Sequence, residues 1–214
     1  MPVKVGFNHI KIWDEYMEPQ IQEYEQEPIE KGKIVFYGPS YFTRWSAKRG
    51  FIPLADALPG ASGAKCCINR GFGSSCAEQQ LYYYPRTIRP LEPSVLVYQP
   101  GYGNGAAFGY TAEEQFELVQ RVVAYTLHDF PEAKVYLIGV NLGRHSYGAA
   151  ARFDNYLKEF AAATDRVIYG DLTAFGKLNT DDLYVEDKVH YNQKGYDLFA
   201  EFFKDLLKDE LARY

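Results

Sequence analysis

Five short apolar runs, each followed by turn residues or a polar loop, constrain the fold of this chain more than any other feature of its sequence. Segments of helical period separate the runs, and this alternation is typical of a parallel β-sheet with helices on both faces. The five predicted strands are residues 33–37, 65–69, 95–99, 135–140 and 166–169. The pattern predicts a three-layer α/β/α sandwich with a five-stranded parallel sheet, and 214 residues suit a single domain over residues 1–214.

Four segments show apolar residues at helical spacing or are bounded by helix start and stop signals. They are residues 19–27, 111–128, 147–164 and 192–211. Thr111 and Glu114 form a capping-box signature at the start of the second segment, and Asn192 is suited to cap the last one. We therefore expect the last helix to begin just after His190.

The charge of the chain argues against two kinds of partner. A net charge of −5 and a pI near 5.4 leave no broad basic face for a phosphate backbone or an anionic lipid surface. No run approaches the roughly 18 consecutive apolar residues that a membrane span needs. Residues 1–16 lack the apolar core of a signal peptide. The sequence therefore predicts a cytoplasmic protein that binds neither nucleic acid nor membranes.

Cysteine and glycine patterns bear on metals and cofactors. Cys66, Cys67 and Cys76 are an odd number and two of them are adjacent, which argues against a disulfide framework. The four histidines are scattered far from these cysteines, so no metal site is predicted. Neither G-x-x-x-x-G-K-[ST] nor a G-x-G-x-x-G that opens a helix after the first strand is present. We expect no bound cofactor.

The loops after the first three predicted strands combine glycine with small polar residues. They are residues 38–40, 70–75 and 101–105. Because ligands in doubly wound sheets bind beyond the carboxyl ends of the strands, chemistry is expected in these loops.

Ser40 lies at a predicted junction between a strand and a helix, where its hydroxyl can face the crevice. A serine nucleophile needs a base, a group that orients the base, and donors for the oxyanion that develops on the substrate. The alternative is a helix N-cap, for which serine is a favoured residue. This segment alone leaves both interpretations open.

Asp187 and His190 stand three residues apart, just before the last predicted helix. At this spacing in a turn, a carboxylate can hold an imidazole in one tautomer. The alternative is a surface salt bridge, since the same spacing often occurs by chance.

Two further loops could supply neutral hydrogen-bond donors. The glycine loop at residues 71–75 allows backbone N–H groups to approach a ligand closely. Asn104, between Gly103 and Gly105, could place a side-chain amide in the crevice without adding charge. For both segments the alternative is an ordinary turn.

The order of these four segments resembles the four sequence blocks of the SGNH (GDSL-type) hydrolases. The matching segments are IVFYGPSYFTRW for the serine block, INRGFGSS for the glycine block, GYGN for the asparagine block and DKVHYNQKGY for the terminal Asp-His block. The resemblance runs from about Lys33 to the end of the chain. It implies a flavodoxin-like α/β fold.

The resemblance also implies a role for each candidate residue. Ser40 corresponds to the nucleophile, His190 to the general base and then acid, and Asp187 to the carboxylate that orients it. Asn104 corresponds to a side-chain oxyanion donor, and Gly73 or Ser74 to a backbone donor. The implied activity is cofactor-free hydrolysis of esters, often acetyl groups on sugars or small acyl chains, through an acyl-enzyme.

Three positions depart from the family pattern. Pro39 stands where the family usually has aspartate, Ser74 where it usually has the second glycine of its block, and Gly105 where it usually has aspartate after the asparagine. Ser74 is expected to narrow the site, and Asn104 is expected to be held less firmly. The alternative function is therefore an impaired hydrolase that binds a carbohydrate or acyl ligand without turnover.

Tyrosines accompany the candidate loops. Tyr41, Tyr102 and Tyr191 lie in or beside them, and their rings could stack on the sugar of a saccharide ester. The alternative is that they pack within the domain, as many of the 19 tyrosines must. The oligomeric state, the acyl length and the alcohol stay open.

Overall fold

A parallel five-stranded sheet forms the centre of the protein in a computed structural model that describes residues 13–144 and 148–214. The strands are β1 (Ile34–Tyr37), β2 (Cys67–Asn69), β3 (Val95–Tyr98), β4 (Lys134–Ile138) and β5 (Val167–Gly170). Their spatial order is β2-β1-β3-β4-β5 and all neighbours are parallel. The predicted five-stranded parallel sheet is confirmed, and its order is that of the flavodoxin-like folds.

The central strands are buried on both faces. Every residue of β1 and of β3 is buried, because helices cover both sides of the sheet. The predicted strand bounds differ from the observed ones by one or two residues. Arg166, for example, has a φ of 65°, so β5 begins one residue later than predicted.

Ten α-helices connect and cover the strands within the described residues. They are α1 (Glu18–Glu25), α2 (Ser40–Thr43), α3 (Leu54–Ala57), α4 (Ala77–Thr87), α5 (Tyr102–Ala107), α6 (Ala112–Asp129), α7 (Ala150–Ala162), α8 (Leu172–Phe175), α9 (Gln193–Leu206) and α10 (Lys208–Leu211). A π-helical turn at Trp13–Met17 precedes α1, and 3₁₀ turns lie at Ala47–Arg49, Arg89–Leu91 and Asp181–Leu183. None of the helices in these residues is long and apolar enough to cross a membrane.

The helix predictions agree with the structure in position and in their caps. Thr111 accepts from the N–H of Glu114 and the Glu114 carboxylate accepts from the N–H of Thr111, as the capping box requires. Asn192 accepts from the N–H of Gly195 at 3.1 Å, so α9 begins three residues after His190, at Gln193. Tyr147, the predicted start of the third segment, lies outside the described residues, as does most of segment 1–16.

Two apolar layers hold the helices against the sheet. On one face, α1, α4, α6 and α7 pack on alternate side chains of the strands, such as Val35 and Leu96. On the other face, α9 packs on the intervening side chains, such as Phe36 and Val97. Phe203 of α9 meets Phe36 edge to face at 4.9 Å between ring centroids. This aromatic face lies directly beneath the segment that carries Ser40, because Phe42 belongs to the same cluster.

Candidate active site

Ser40 is the first residue of α2, the short helix that follows β1. Pro39, not Ser40, occupies the N-cap position, so the interpretation of Ser40 as a helix cap is wrong. The Ser40 N–H has no partner within the helix, as is general for a first helical residue. A Cβ on Gly38 would lie 2.9 Å from the Gln99 carbonyl oxygen, so the chain can approach β3 this closely only with glycine. The tight turn after β1 thus places the Ser40 hydroxyl at the carboxyl edge of the sheet.

A continuous hydrogen-bonded chain joins Ser40, His190 and Asp187. The Ser40 Oγ lies 2.8 Å from His190 Nε2, and His190 Nδ1 lies 2.7 Å from Asp187 Oδ2. The other carboxylate oxygen accepts from the backbone N–H groups of Val189 and His190, each at 2.9 Å. These two bonds fix the carboxylate plane, and the carboxylate in turn orients the imidazole toward the serine. The Asp187–His190 pair is therefore more than a surface salt bridge.

Hydrogen bonds and burial set the protonation states of this pair. Burial raises the pKa of Asp187, but the N–H and ring of His190 and the N–H of Val189 outweigh it, and the pKa is held below its usual range. For His190, burial lowers the pKa and the Asp187 hydrogen bond only partly opposes this. At neutral pH the carboxylate is ionised and the imidazole is neutral, which is the state a general base requires.

Arg44 is a fourth member of this cluster that sequence reasoning missed. Its Nη1 donates to Asp187 Oδ2 at 3.1 Å, the same oxygen that binds the imidazole. Burial is the largest cause of the lowered pKa of His190, and the positive charge of Arg44 lowers it further. The hydrogen bond to Asp187 acts in the opposite direction. The available signal was spacing, since Arg44 stands four residues after Ser40 and its N–H donates to the Ser40 carbonyl at 2.9 Å.

Asn104 lies in α5 and lines the same cavity as Ser40. Its Nδ2 donates to the carbonyl of Ser75 at 2.8 Å, which ties the asparagine loop to the glycine loop. Gly101 makes this contact possible, because its φ is 73° and a Cβ there would overlap the Ser75 oxygen. A primary amide has two N–H groups, so one remains for a ligand in the cavity.

Gly105 has a packing role that explains its departure from the family pattern. A Cβ at this position would overlap the amide of Gln115, which is fully buried on α6. With its amide turned to satisfy both groups, Gln115 donates to the carbonyl of Tyr102 and accepts from the N–H of Ala106, each at 3.3 Å. Gln115 and the Ser75 carbonyl therefore hold the helical turn of Asn104, contrary to the expectation that Asn104 is held loosely.

The two candidate backbone donors, Gly73 and Ser74, do not line the cavity of Ser40. They form the turn between β2 and α4, directly before the Ser75 whose carbonyl binds Asn104. Ser74 has a φ of 61°, a conformation that glycine adopts without cost, and its side chain is exposed. The Ser74 side chain therefore does not narrow the site, contrary to the expectation from the sequence. The role of this turn as a backbone donor stays a prediction.

The cavity beside Ser40 has a volume of about 210 Å³. All three predicted tyrosines line it, but they differ in what they offer. Tyr102 and Tyr191 are only 5% and 2% exposed, and Tyr102 stacks on Phe153 at 4.8 Å. Tyr41 is half-buried and lies 6.1 Å from His190 between ring centroids. Tyr41 is the tyrosine that can present a ring face, whereas the other two serve mainly as packing.

The described residues contain no cluster of side chains suited to bind a metal ion. Across residues 13–144 and 148–214, no group of three or more of these side chains could hold a metal ion. Cys66, Cys67 and Cys76 are buried free thiols.

The five-stranded parallel sheet with helices on both faces is the fold of several solved GDSL-like lipases and esterases. Three solved structures are similar over most of their length. A GDSL-like lipase from Bacteroides thetaiotaomicron has a TM-score of 0.70 and 16% identity, covering 90% of this chain and 97% of that chain. A psychrotrophic esterase from Pseudoalteromonas has a TM-score of 0.65 and 15% identity, covering 84% of this chain and 98% of that chain.

A mutant of an acetyl-xylooligosaccharide esterase from Geobacillus is the third, with a TM-score of 0.62 and 15% identity over 84% of this chain and 95% of that chain. No family model and no curated protein matches the sequence. The structural likeness, at these identities, establishes the fold.

Proposed function

We propose that the protein is a serine esterase that hydrolyses short-chain acyl esters through an acyl-enzyme. The observation that carries the proposal is the hydrogen-bonded chain from Ser40 through His190 to Asp187, with distances of 2.8 and 2.7 Å. These hydrogen-bonded residues lie at the edge of a cavity at the carboxyl end of the sheet, where folds of this type bind their ligands. A nucleophile, a base and an orienting acid within hydrogen-bond reach are the parts that acyl transfer requires.

In the acylation half-reaction, the Ser40 Oγ attacks the ester carbonyl carbon while its proton passes to His190 Nε2. The imidazolium is stabilised by Asp187, which stays ionised. The second N–H of Asn104 and the N–H of Ser40 bind the oxyanion. The turn at Gly73 and Ser74, which lies outside the cavity, supports this arrangement by presenting the Ser75 carbonyl to Asn104. When the tetrahedral intermediate collapses, the alcohol leaves with the proton from His190. Water, deprotonated by the same imidazole, then attacks the acyl-serine and releases the acid.

The three departures from the family pattern are compatible with this mechanism. Pro39 lacks an N–H, but the N–H of Ser40 is intact and the Pro39 carbonyl accepts from the N–H of Phe42 at 3.1 Å. Gln115, which packs on Gly105, and the carbonyl of Ser75, which follows Ser74, hold the Asn104 amide in place. We therefore favour turnover over binding alone.

The acyl group is proposed to be short, acetyl above all, and the alcohol to be a carbohydrate. A cavity of about 210 Å³ is comparable with the engineered cavity of about 150 Å³ that binds benzene. Such a space suits an acetyl group and one small ring better than a long acyl chain. The half-buried Tyr41 ring at the cavity edge supports a sugar, and one similar structure is of an acetyl-xylooligosaccharide esterase.

The test is hydrolysis of p-nitrophenyl acetate, butyrate and octanoate by the wild type and by variants. We expect Ser40→Ala and His190→Ala each to lower kcat by several orders of magnitude, and Asp187→Ala to lower it less. Ser46→Ala is the matched control, since Ser46 lies outside the cavity and should retain full activity. We expect acetate to be the best of the three esters.

A fluorophosphonate probe provides a second readout, because it reacts with an activated serine and does not require the correct substrate. Mass spectrometry should locate the adduct on Ser40, and the Ser46→Ala protein should label as the wild type does. Hydrolysis by the wild type that does not exceed that of Ser40→Ala, together with an unlabelled Ser40, would contradict the esterase and favour a protein that binds its ligand without turnover.

A further inference from the structure

Two buried amide side chains line the cavity of Ser40 and lack hydrogen bonds that burial ordinarily demands. Gln99 directly follows β3 and is 8% exposed, and Asn141 follows β4 and is 4% exposed. The Gln99 Oε1 and the Asn141 Oδ1 have no hydrogen-bond partner among the residues that the structure describes. Buried polar atoms are nearly always paired, so each of these oxygens calls for an explanation.

The surroundings of the two amides leave little that could satisfy them from the protein. The Gln99 backbone is fixed, since its carbonyl accepts from Gln80 Nε2 at 3.2 Å. Within residues 13–144 and 148–214, the Asn141 amide makes one long hydrogen bond, from its Nδ2 to the Leu178 carbonyl at 3.4 Å. The cavity wall around them is formed largely by apolar side chains, namely Ile138, Val140, Phe153 and Leu172. The described residues supply no donor for either oxygen, and the cavity is where a bound molecule can supply one.

The sheet order sets where the amides stand relative to the reacting centre. Ser40 follows β1, Gln99 follows β3 and Asn141 follows β4, and these three strands are adjacent in that order. Neighbouring strands are about 4.8 Å apart, so the amides stand at successively greater distances from the serine along one edge. A group bonded to the scissile ester reaches Gln99 first and Asn141 next. Hydroxyls on ring carbons that are separated by one further carbon have this kind of spacing.

We propose that Gln99 and Asn141 select the alcohol part of the substrate by accepting hydrogen bonds from its free hydroxyl groups. The inference rests on the proposed esterase function and adds the residues that distinguish a sugar or polyol ester from a plain alkyl ester. The apolar wall complements the C–H face of the same ring. Hydroxyls provide both a donor for the amide oxygens and an acceptor for the amide N–H groups, so the amide orientation can adjust to them.

The experiment compares two acetates of similar ring size that differ in hydroxyl content. Monoacetylated methyl β-xyloside has free hydroxyls, whereas cyclohexyl acetate has none. Both are assayed with the wild type and with Gln99→Met and Asn141→Leu, which keep the side-chain size and remove the amide. Asn179→Leu is the matched control, because the Asn179 Oδ1 is also buried without a partner but the residue does not line the cavity.

We expect the wild type to favour the xyloside ester in kcat/KM, and each cavity variant to lower that preference roughly tenfold through KM. Hydrolysis of p-nitrophenyl acetate, which has no hydroxyl to recognise, should persist in all variants and shows that they are folded. The Asn179→Leu control should keep the wild-type preference. An unchanged preference in both cavity variants would overturn the inference and would mean that water satisfies the amides.

A binding measurement separates this inference from the esterase proposal. Saturation-transfer NMR of methyl β-xyloside on the Ser40→Ala protein needs no turnover. We expect binding that weakens at least fivefold in Gln99→Met and Asn141→Leu, whether or not any ester is hydrolysed. Equal binding by all proteins, or no binding to any, would contradict hydroxyl recognition, whereas loss of esterase activity alone would contradict only the proposed reaction.

Discussion

Replacing Asn104 by alanine removes two hydrogen bonds with different consequences, and the structure allows each to be assigned a magnitude. The first is the bond from Nδ2 to the Ser75 carbonyl at 2.8 Å, which is present in the resting protein. Its loss should lower the free energy of unfolding by about 1 kcal/mol and the Tm by roughly 2 to 4 °C for a chain of this size. The second is the bond to the oxyanion, which exists only during reaction.

The oxyanion bond should dominate the kinetics. Loss of one such donor lowers kcat by about 10² to 10³, or roughly 2.7 to 4 kcal/mol. We expect Asn104→Ala to show this fall in kcat for p-nitrophenyl acetate with little change in KM, because the oxyanion is absent from the ground state. Steady-state kinetics and thermal denaturation on the same preparation measure the two effects separately.

Thr126→Val is the control for the stability effect. The Thr126 hydroxyl is buried and donates to the Val122 carbonyl at 2.9 Å, on α6 and outside the cavity. Its loss should cost a similar fraction of the unfolding free energy and leave kcat unchanged. If Asn104→Ala loses less than about tenfold in kcat while its Tm falls as in the control, then Asn104 links two loops and does not bind the oxyanion.

Two further changes test the electrostatics and the packing of the site. The kcat/KM of the wild type should rise with pH as His190 loses its proton, with a midpoint below the usual histidine pKa of 6.5. Arg44→Met removes a positive charge that lowers this pKa, so the midpoint should move to higher pH, and Arg44→Lys should restore it. An unmoved midpoint in pH-rate profiles would contradict the role of Arg44. Gly105→Ala should lower the unfolding free energy by about 1 to 3 kcal/mol through overlap with Gln115. Gly73→Ala, whose Cβ meets nothing within 4 Å, should change it by less than about 0.5 kcal/mol in urea denaturation. Equal losses in the two glycine variants would refute the packing explanation.

The sheet could be predicted from the sequence because each strand is short, apolar and bounded by turn residues. Strands buried on both faces carry continuous apolar runs, and β1 and β3 follow this rule at every residue. The N-caps Thr111 and Asn192 could also be predicted from the sequence, because an N-cap binds a backbone N–H only three residues away in the chain. Local chemistry determines these features, so local sequence predicts them.

Besides the single-turn helices α3 and α8, two longer helices were not predicted, because distant contacts stabilise them. In α4, Pro85 and three consecutive tyrosines disfavour a helix, but Tyr83 and Tyr84 are buried in the core against the sheet. In α5, the glycines of the asparagine loop read as a turn, and the helical conformation depends on buried Gln115. Burial and a long-range hydrogen bond outweigh propensity in both cases.

The site shows the same division. Ser40, Asp187, His190 and Asn104 each had a local signal, and the order of the four segments connected them. Arg44 had only its spacing from Ser40 as a local signal, and its interaction with Asp187 spans 143 positions of the chain, which no local pattern expresses. Gln99 and Asn141 became informative only as buried atoms without partners, a property that no sequence pattern expresses.

The large separation of Ser40 and His190 in the chain has a consequence for biosynthesis. The two residues are 150 positions apart, and α9 follows His190 closely. This helix packs on Phe42 and Trp45, the neighbours of Ser40, through Phe199 at ring distances of 6.1 and 5.6 Å. While a nascent chain still lacks the segment that carries Asp187, His190 and α9, Ser40 has no base beside it. If the proposed mechanism holds, hydrolysis can begin only after this segment has been synthesised, and its onset would report that α9 has docked.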